Sequence, residues 1–291
     1  MSLISKTTRQ RLEAAAARAL LAVLRALPVD AASGLGGWLT RTIGPRLKVS
    51  AMARRNLRRA FPEKSAAEID AIVVEVWDNL GRVVGEFPHV KKLMQSRVEV
   101  VGLENVHLLR DDGKPGLFVA SHFGNWELAG ALAEREGFDL TVVYRAANNP
   151  WIEDIYRECR ADAGAGQIRK GSEGAREILA VLKAGGHLGM LVDQKMNDGI
   201  AVPFFGRDAM TAPAAARFAL KFRCPLVLFK VERLRGAHFR ITMLPPMDLP
   251  ETGNIHADTL TVMTRINAQI ERWVRECPGQ WLWLHKRWPQ N

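Results

Sequence analysis

From residue 98 onward, short apolar runs alternate with amphipathic stretches. Residues 98–101, 116–120, 140–144, 188–192 and 226–231 are dominated by Val, Leu and other apolar residues, as expected of buried strands. Between them, residues 125–136, 150–162, 173–184 and 212–222 read as helices. This alternation predicts an α/β fold: a mixed, partly parallel central sheet flanked by helices. A hairpin over residues 226–243 is expected to add antiparallel strands at one edge. A long helix over 256–277 then precedes an apolar coda, Trp281-Leu282-Trp283-Leu284-His285. Upstream, Ser65-Ala66-Ala67-Glu68 forms a capping box that opens a helix running toward Leu80. No repeat, low-complexity tract or linker breaks the chain. It divides into a helical membrane-attachment segment, residues 1–60, and one catalytic domain, residues 61–291.

The attachment reading comes from where polar and apolar residues fall in the first segment. Residues 14–27 are strongly helix-forming and apolar, but Arg18 and Arg25 interrupt them and Pro28 follows. As a helix they would span roughly 21 Å, short of the roughly 30 Å hydrocarbon core. Leu20, Leu21, Leu24 and Leu27 share one face, while Arg11, Arg18 and Arg25 repeat every seven residues on another. Such a helix is expected to lie in the membrane interface, with an ordinary solvated helix packed on the body as the alternative. Residues 35–43, with Trp38, offer a second anchor, and Arg54, Arg55, Arg58 and Arg59 follow.

Charge sharpens this picture. The chain carries a net charge of +10, and the excess of Lys and Arg over Asp and Glu resides entirely within residues 1–60. Each basic residue close to an anionic leaflet contributes on the order of 1 kcal/mol, so an anionic membrane surface is the expected partner. Nucleic acid is not, because no recognition module accompanies the arginines. No small-residue cleavage site follows a clean apolar core, which argues against a signal peptide. Cys159, Cys224 and Cys277 are widely separated, with no CxxC pair, so neither a disulfide framework nor a zinc site is expected.

The candidate chemistry centres on Ser121-His122-Phe123-Gly124-Asn125-Trp126-Glu127, at the end of an apolar strand. Five positions on one helix are about 140° apart, so His122 and Glu127 would diverge there. With His122 on the turn and a helix beginning near Asn125, Glu127 falls in the first turn and can reach back to the imidazole; the plain alternative is a His that caps the helix and a Glu that only decorates its first turn. A carboxylate on one ring nitrogen fixes the tautomer and leaves the other to accept a proton from a substrate hydroxyl. Gly124 permits close backbone approach, and Asn125 supplies a cap or a hydrogen-bond donor. Ser121 is a poor nucleophile for His122, because adjacent side chains on a strand point to opposite faces, and no GxSxG elbow is present.

Other polar residues gather at the same predicted sheet edge. Arg145 closes a strand and suits a phosphate or carboxylate, though a plain surface arginine fits equally. Asp193, Gln194 and Lys195 follow the strand at 188–192. Asp193 there is either a cap or a group that orients Arg145 or a substrate hydroxyl. Arg169, Lys170 and Lys195 add positive charge. Pro203-Phe204-Phe205-Gly206 reads as an apolar loop, either lining an acyl groove or simply packed, and Trp281, Trp283 and Trp288 fit burial better than a bilayer interface.

Taken in order, SHFGNWE, Tyr144-Arg145 with Asn149-Pro150, Asp193-Gln194-Lys195, VPFFG and the terminal WLWLHKRW resemble the late acyltransferases of lipid A biosynthesis. Residues 56–63 (NLRRAFPE) and 101–105 (VGLEN) resemble the same family, which lies within the wider glycerolipid acyltransferases. The resemblance spans nearly the whole chain. It implies transfer of a fatty acyl chain from acyl carrier protein to a hydroxyl of a lipid A precursor, at the cytoplasmic face of the inner membrane and without metal or cofactor. His122 would be the base and Glu127 its partner. Backbone N–H groups around Gly124 and the Asn125 side chain would hold the oxyanion. Arg145, Asp193 and Gln194 would line the site, and Arg169, Lys170 and Lys195 would hold acceptor phosphates or the acidic carrier. Related enzymes acting on phosphatidylinositol mannosides, ornithine lipids or lysophosphatidic acid share the catalytic pattern, and a non-catalytic lipid-binding protein is the alternative outside catalysis.

Overall fold

A computed structural model describes residues 5–289. The helices are α1 (Lys6–Ala26), α2 (Val29–Ile43), α3 (Ser50–Ala60), α4 (Ala66–Glu86), α5 (Val90–Ser96), α6 (Leu103–Asp111), α7 (Leu128–Glu136), α8 (Pro150–Asp162), α9 (Ser172–Lys183), α10 (Ala214–Phe222) and α11 (Ile255–Glu276). The strands are β1 (Val98–Val101), β2 (Gly116–Ala120), β3 (Leu140–Tyr144), β4 (Gly166–Arg169), β5 (His187–Leu191), β6 (Lys195–Phe204), β7 (Arg207–Thr211), β8 (Leu226–Arg235) and β9 (His238–Met243).

Seven strands form one sheet in the order β1-β9-β8-β2-β5-β3-β4, while β6 and β7 pair separately. All neighbours in the large sheet run parallel except β8 and β9, which form the expected hairpin. Strand β2 sits centrally and is buried along its whole length, as its unbroken apolar run Gly-Leu-Phe-Val-Ala requires. Strand β4 and helix α6 were not anticipated, because Gly166-Gln167-Ile168-Arg169 has too little apolar alternation to stand out. The PFFG stretch is not a groove-lining loop. It is the end and turn of the β6–β7 hairpin, with Phe204 and Phe205 buried.

Motifs far apart in sequence meet in one aromatic core. Phe61 lies 5.3 Å from Phe205 and 6.0 Å from Trp283, and Phe204 packs on Trp281 and Trp288. Asn56 donates to the carbonyls of Trp283 (3.1 Å) and His285 (2.8 Å), tying α3 to the C-terminal segment. The late tryptophans are therefore core residues.

The N-terminal helices pack on this body in a way the heptad of arginines did not foretell. Arg18 pairs with Glu158 (3.3 Å), Arg25 approaches Asp162 (3.9 Å), and Arg11 stacks over Trp151. These arginines join α1 to α8 and are not a free basic face. Helix α2 instead meets α4 through small residues: a Cβ on Gly36 would come within 2.2 Å of the Gly81 carbonyl, and one on Gly85 within 2.2 Å of the Ala32 carbonyl. Backbones in such contact hold α2 rigidly and turn its other side outward. Leu35, Trp38, Leu39 and Ile43 form that side, all exposed, with Leu47 just beyond. Among the described residues no helix is long and apolar enough to cross a membrane.

Candidate active site

The site arises from strand register. Strands β2 and β5 are parallel neighbours in which Ala120 lies opposite Leu191. The ladder continues one step, with the Val192 N–H donating to the Ala120 carbonyl at 3.1 Å. Two residues beyond each strand's C-terminal end stand His122 and Asp193, and they face each other. His122 Nδ1 lies 2.8 Å from Asp193 Oδ1, and the His122 backbone N–H donates to Oδ2 at 2.9 Å. Trp281 Nε1–H donates to the same oxygen at 2.8 Å.

Asp193 is almost wholly buried. Burial alone would raise its pKa, but the His122 imidazole, its hydrogen bonds and the nearby His285 ring hold it well below the usual carboxylate range. The carboxylate thus stays ionised and fixes the imidazole with Nδ1 turned inward, leaving Nε2 as the nitrogen on the cleft side. Gln194 Nε2 lies 3.5 Å from that Nε2. The Trp126 ring stands edge-on to the imidazole, with centroids 5.1 Å apart.

Glu127 does not reach His122. Helix α7 begins at Leu128, with Glu127 at its cap position. The Glu127 carboxylate receives two hydrogen bonds from Arg160 of α8, at 2.8 and 2.9 Å, and a third from Trp126 Nε1 at 3.1 Å. A full guanidinium outcompetes an imidazole already bonded to Asp193. Sequence spacing selected the wrong carboxylate for the ring because it could not see the β2–β5 register. Arg160, on a helix with no local signature of chemistry, was missed altogether.

The expected oxyanion donors are engaged elsewhere. The Gly124 N–H donates to the Gln280 carbonyl at 3.0 Å. Gly124 has φ +58°, and a Cβ there would lie 1.8 Å from the Val231 carbonyl oxygen, so this glycine lets the turn press on β8. Asn125 is fully buried and donates to Glu86 at 2.8 Å, while its Oδ1 accepts from the Glu127 N–H at 3.3 Å.

His122 opens onto a cleft of about 1120 Å³. Its lining carries Arg145, Arg160, Lys170, Lys195 and Arg217 against one carboxylate, Asp198. Arg145 contacts only Asn148 (3.3 Å), and Arg145, Lys170, Lys195 and Arg217 form no ion pair among the described residues. Gln194 also lines the cleft, as do apolar groups from Val143, Ile178, Met190 and Phe218. Arg169 lies outside the lining and pairs with Glu153 at 3.3 Å. Arg217, one turn into α10, was not anticipated from sequence. Five cations converging on an open cleft beside a carboxylate-held histidine suit an anionic substrate bearing a hydroxyl.

Residues 5–290 match the family model described as bacterial lipid A biosynthesis acyltransferase. The lipid A biosynthesis myristoyltransferase of Escherichia coli (strain K12) is 25% identical over 238 residues, covering 79% of this chain and 72% of that protein. The palmitoleoyltransferase of the same organism is 26% identical over 272 residues, covering 90% and 86%, and the lauroyltransferase 26% over 263 residues, covering 87% and 82%. With the match extending over nearly the whole chain, from α1 through the C-terminal tryptophans, this protein belongs to the bacterial lipid A biosynthesis acyltransferase family.

Proposed function

We propose that this acyltransferase moves a fatty acyl chain from acyl carrier protein to a hydroxyl of a lipid A precursor, with His122 as general base and Asp193 as its partner. The observation that carries this reading is the His122–Asp193 contact of 2.8 Å at the edge of a cation-lined cleft. Nε2 takes the acceptor's proton as its oxygen attacks the thioester carbonyl. Asp193 stabilises the imidazolium that forms, and the imidazolium returns the proton to the departing thiolate. No protein nucleophile takes part.

Gln194 Nε2, 3.5 Å from the reacting nitrogen, donates to the thioester oxygen as it gathers charge. Glu127 acts through Arg160, holding its guanidinium at the cleft wall where it faces an anionic group of donor or acceptor. Arg145, Lys170, Lys195 and Arg217 bind acceptor phosphates; a point charge or fork on each side of the cleft matches a substrate bearing more than one. The exposed α2 face, with Trp38 at 54% exposure, docks on the cytoplasmic surface of the inner membrane, and the exposed Arg55 and Arg58 meet its anionic headgroups.

The test is product mass. Wild-type protein incubated with acyl carrier protein thioesters of defined chain length and a lipid A precursor is expected to add one acyl chain per acceptor molecule. Phosphatidylinositol mannoside, ornithine lipid and lysophosphatidic acid serve as competing acceptors. Transfer to one of these in place of the lipid A precursor would contradict the assigned acceptor.

A further inference from the structure

Behind the catalytic turn lies an ion pair that the mechanism above does not use. Glu86, the last residue of α4, is fully buried, and the Arg233 side chain on β8 is only 8% exposed. Arg233 donates to Glu86 through both terminal nitrogens, Nη2 at 3.0 Å. Glu86 also accepts from Ser33 Oγ of α2 (2.7 Å) and from Asn125 Nδ2 (2.8 Å). Arg233 Nε donates to Asn79 Oδ1 at 3.0 Å, and Asn79 Nδ2 in turn donates to the Gly124 carbonyl at 3.0 Å. Gln280 closes the network, exchanging hydrogen bonds with the Arg233 backbone at 2.7 and 2.8 Å and accepting from the Gly124 N–H.

A buried ion pair is weak evidence of stabilisation, since desolvating both charges offsets most of their attraction. Its geometry gives it another use. Both partners grip the two residues that follow Phe123, Arg233 through Asn79 to Gly124 and Glu86 directly to Asn125. On the far side of Asn125, Oδ1 accepts the Glu127 N–H. One buried pair therefore fixes the backbone that carries His122 and the cap residue that aims Arg160.

We infer that Glu86 and Arg233 are positioning residues for acyl transfer, acting through Asn125 and Gly124 to set the His122 turn. The inference rests on the proposed role of His122. Displacing a reacting group by about 1 Å can cost about 100-fold in rate, and this pair restrains Gly124 and Asn125 while Asp193 holds the His122 N–H.

Three variants of the full chain test this in the acyl-transfer assay, beside His122→Ala. Asn125→Ala leaves the Glu86–Arg233 pair whole and cuts its direct link to the turn. Glu86→Gln removes the charge that gathers the network, and Glu86→Asp restores it one carbon shorter. Asn125→Ala and Glu86→Gln are expected to lower kcat by about 100-fold with KM for both substrates unchanged, assayed well below each variant's Tm. Glu86→Asp is expected to recover part of kcat. A folded Asn125→Ala protein with wild-type kcat, beside an inactive His122→Ala, would overturn the inference while leaving His122 as the base. Wild-type activity in His122→Ala would overturn the mechanism on which it rests. Should Glu86→Gln fail to fold, Asn125→Ala alone decides.

Discussion

His122 and Asp193 meet because they occupy equivalent places on neighbouring parallel strands, two residues past Ala120 and Leu191, which lie opposite each other in the sheet. The contact is thus built into the register of β2 and β5 and not into any local motif. Asp193 also accepts from the backbone N–H of His122 and from Trp281, so the acid is fixed before any substrate arrives.

Asp193→Asn tests this pairing at nearly constant volume. The amide cannot stabilise an imidazolium, and in one of its two orientations it presents an N–H to Nδ1 and enforces the wrong tautomer. Acyl transfer is expected to fall by roughly 10²- to 10⁴-fold with the fold retained by circular dichroism. Trp281→Phe, which removes only the indole donor, should give a smaller loss in kcat. An Asp193→Asn protein with wild-type turnover would detach the acid from the chemistry.

Glu127 and Arg160 are expected to behave as a unit. Both side chains are largely buried, 13% and 22% exposed, and joined by two hydrogen bonds. Glu127→Ala and Arg160→Ala should each destabilise by about 1–3 kcal/mol and each reduce transfer sharply. The double variant should be no slower than the worse single one, because the second change removes nothing still working. Additive losses would show that the two residues act separately.

What the sequence disclosed and what it hid divides along a physical line. Alternating apolar runs disclosed the parallel sheet, the β8–β9 hairpin and the placing of His122, Arg145 and Asp193 at one sheet edge, because burial imposes local periodicity. Which carboxylate would hold the imidazole was hidden, because it depends on strand order and register: Glu127 is five residues away in sequence but bonded to Arg160, whereas Asp193 is seventy-one residues away and in contact. The same limit applies at the N-terminus. The seven-residue arginine repeat gave a correct common face, but Glu158 and Asp162 on α8, which occupy it, are invisible to a window of one helix.

Stability should depend on pH through His285. Burial chiefly, with His122 and Arg287 adding to it and Asp193 opposing, pushes this imidazole down from 6.5 to about 4. Between those values the unfolded chain binds a proton that the folded chain does not, so stability falls as pH drops through the window, by up to about 3 kcal/mol. Asp193 acts in the same direction at lower pH: its depressed carboxyl contributes stability that is fully present above the ordinary carboxylate pKa and is lost in stronger acid. His285→Phe is expected to flatten urea midpoints measured between about pH 7 and about pH 4.5. An unchanged slope would show that another group governs it.

Membrane docking is assigned to α2 and not to the arginines of α1. Leu35→Gln with Trp38→Gln removes apolar contact worth about 1.5–3 kcal/mol per buried side chain and should lower sedimentation with phosphatidylglycerol vesicles at least about tenfold, with Tm unaltered. Arg18→Ala should leave vesicle binding nearly intact and loosen α1 from α8, where Glu158 loses its partner. Undiminished sedimentation of the α2 double variant would contradict the assignment.

The most direct test of the central claim is the mass of the lipid A precursor after incubation with an acyl carrier protein thioester and either wild-type or His122→Ala protein. The account predicts one added acyl chain with the wild type and unmodified acceptor with a folded, vesicle-bound His122→Ala variant. Acylation by that variant at the wild-type rate would contradict it.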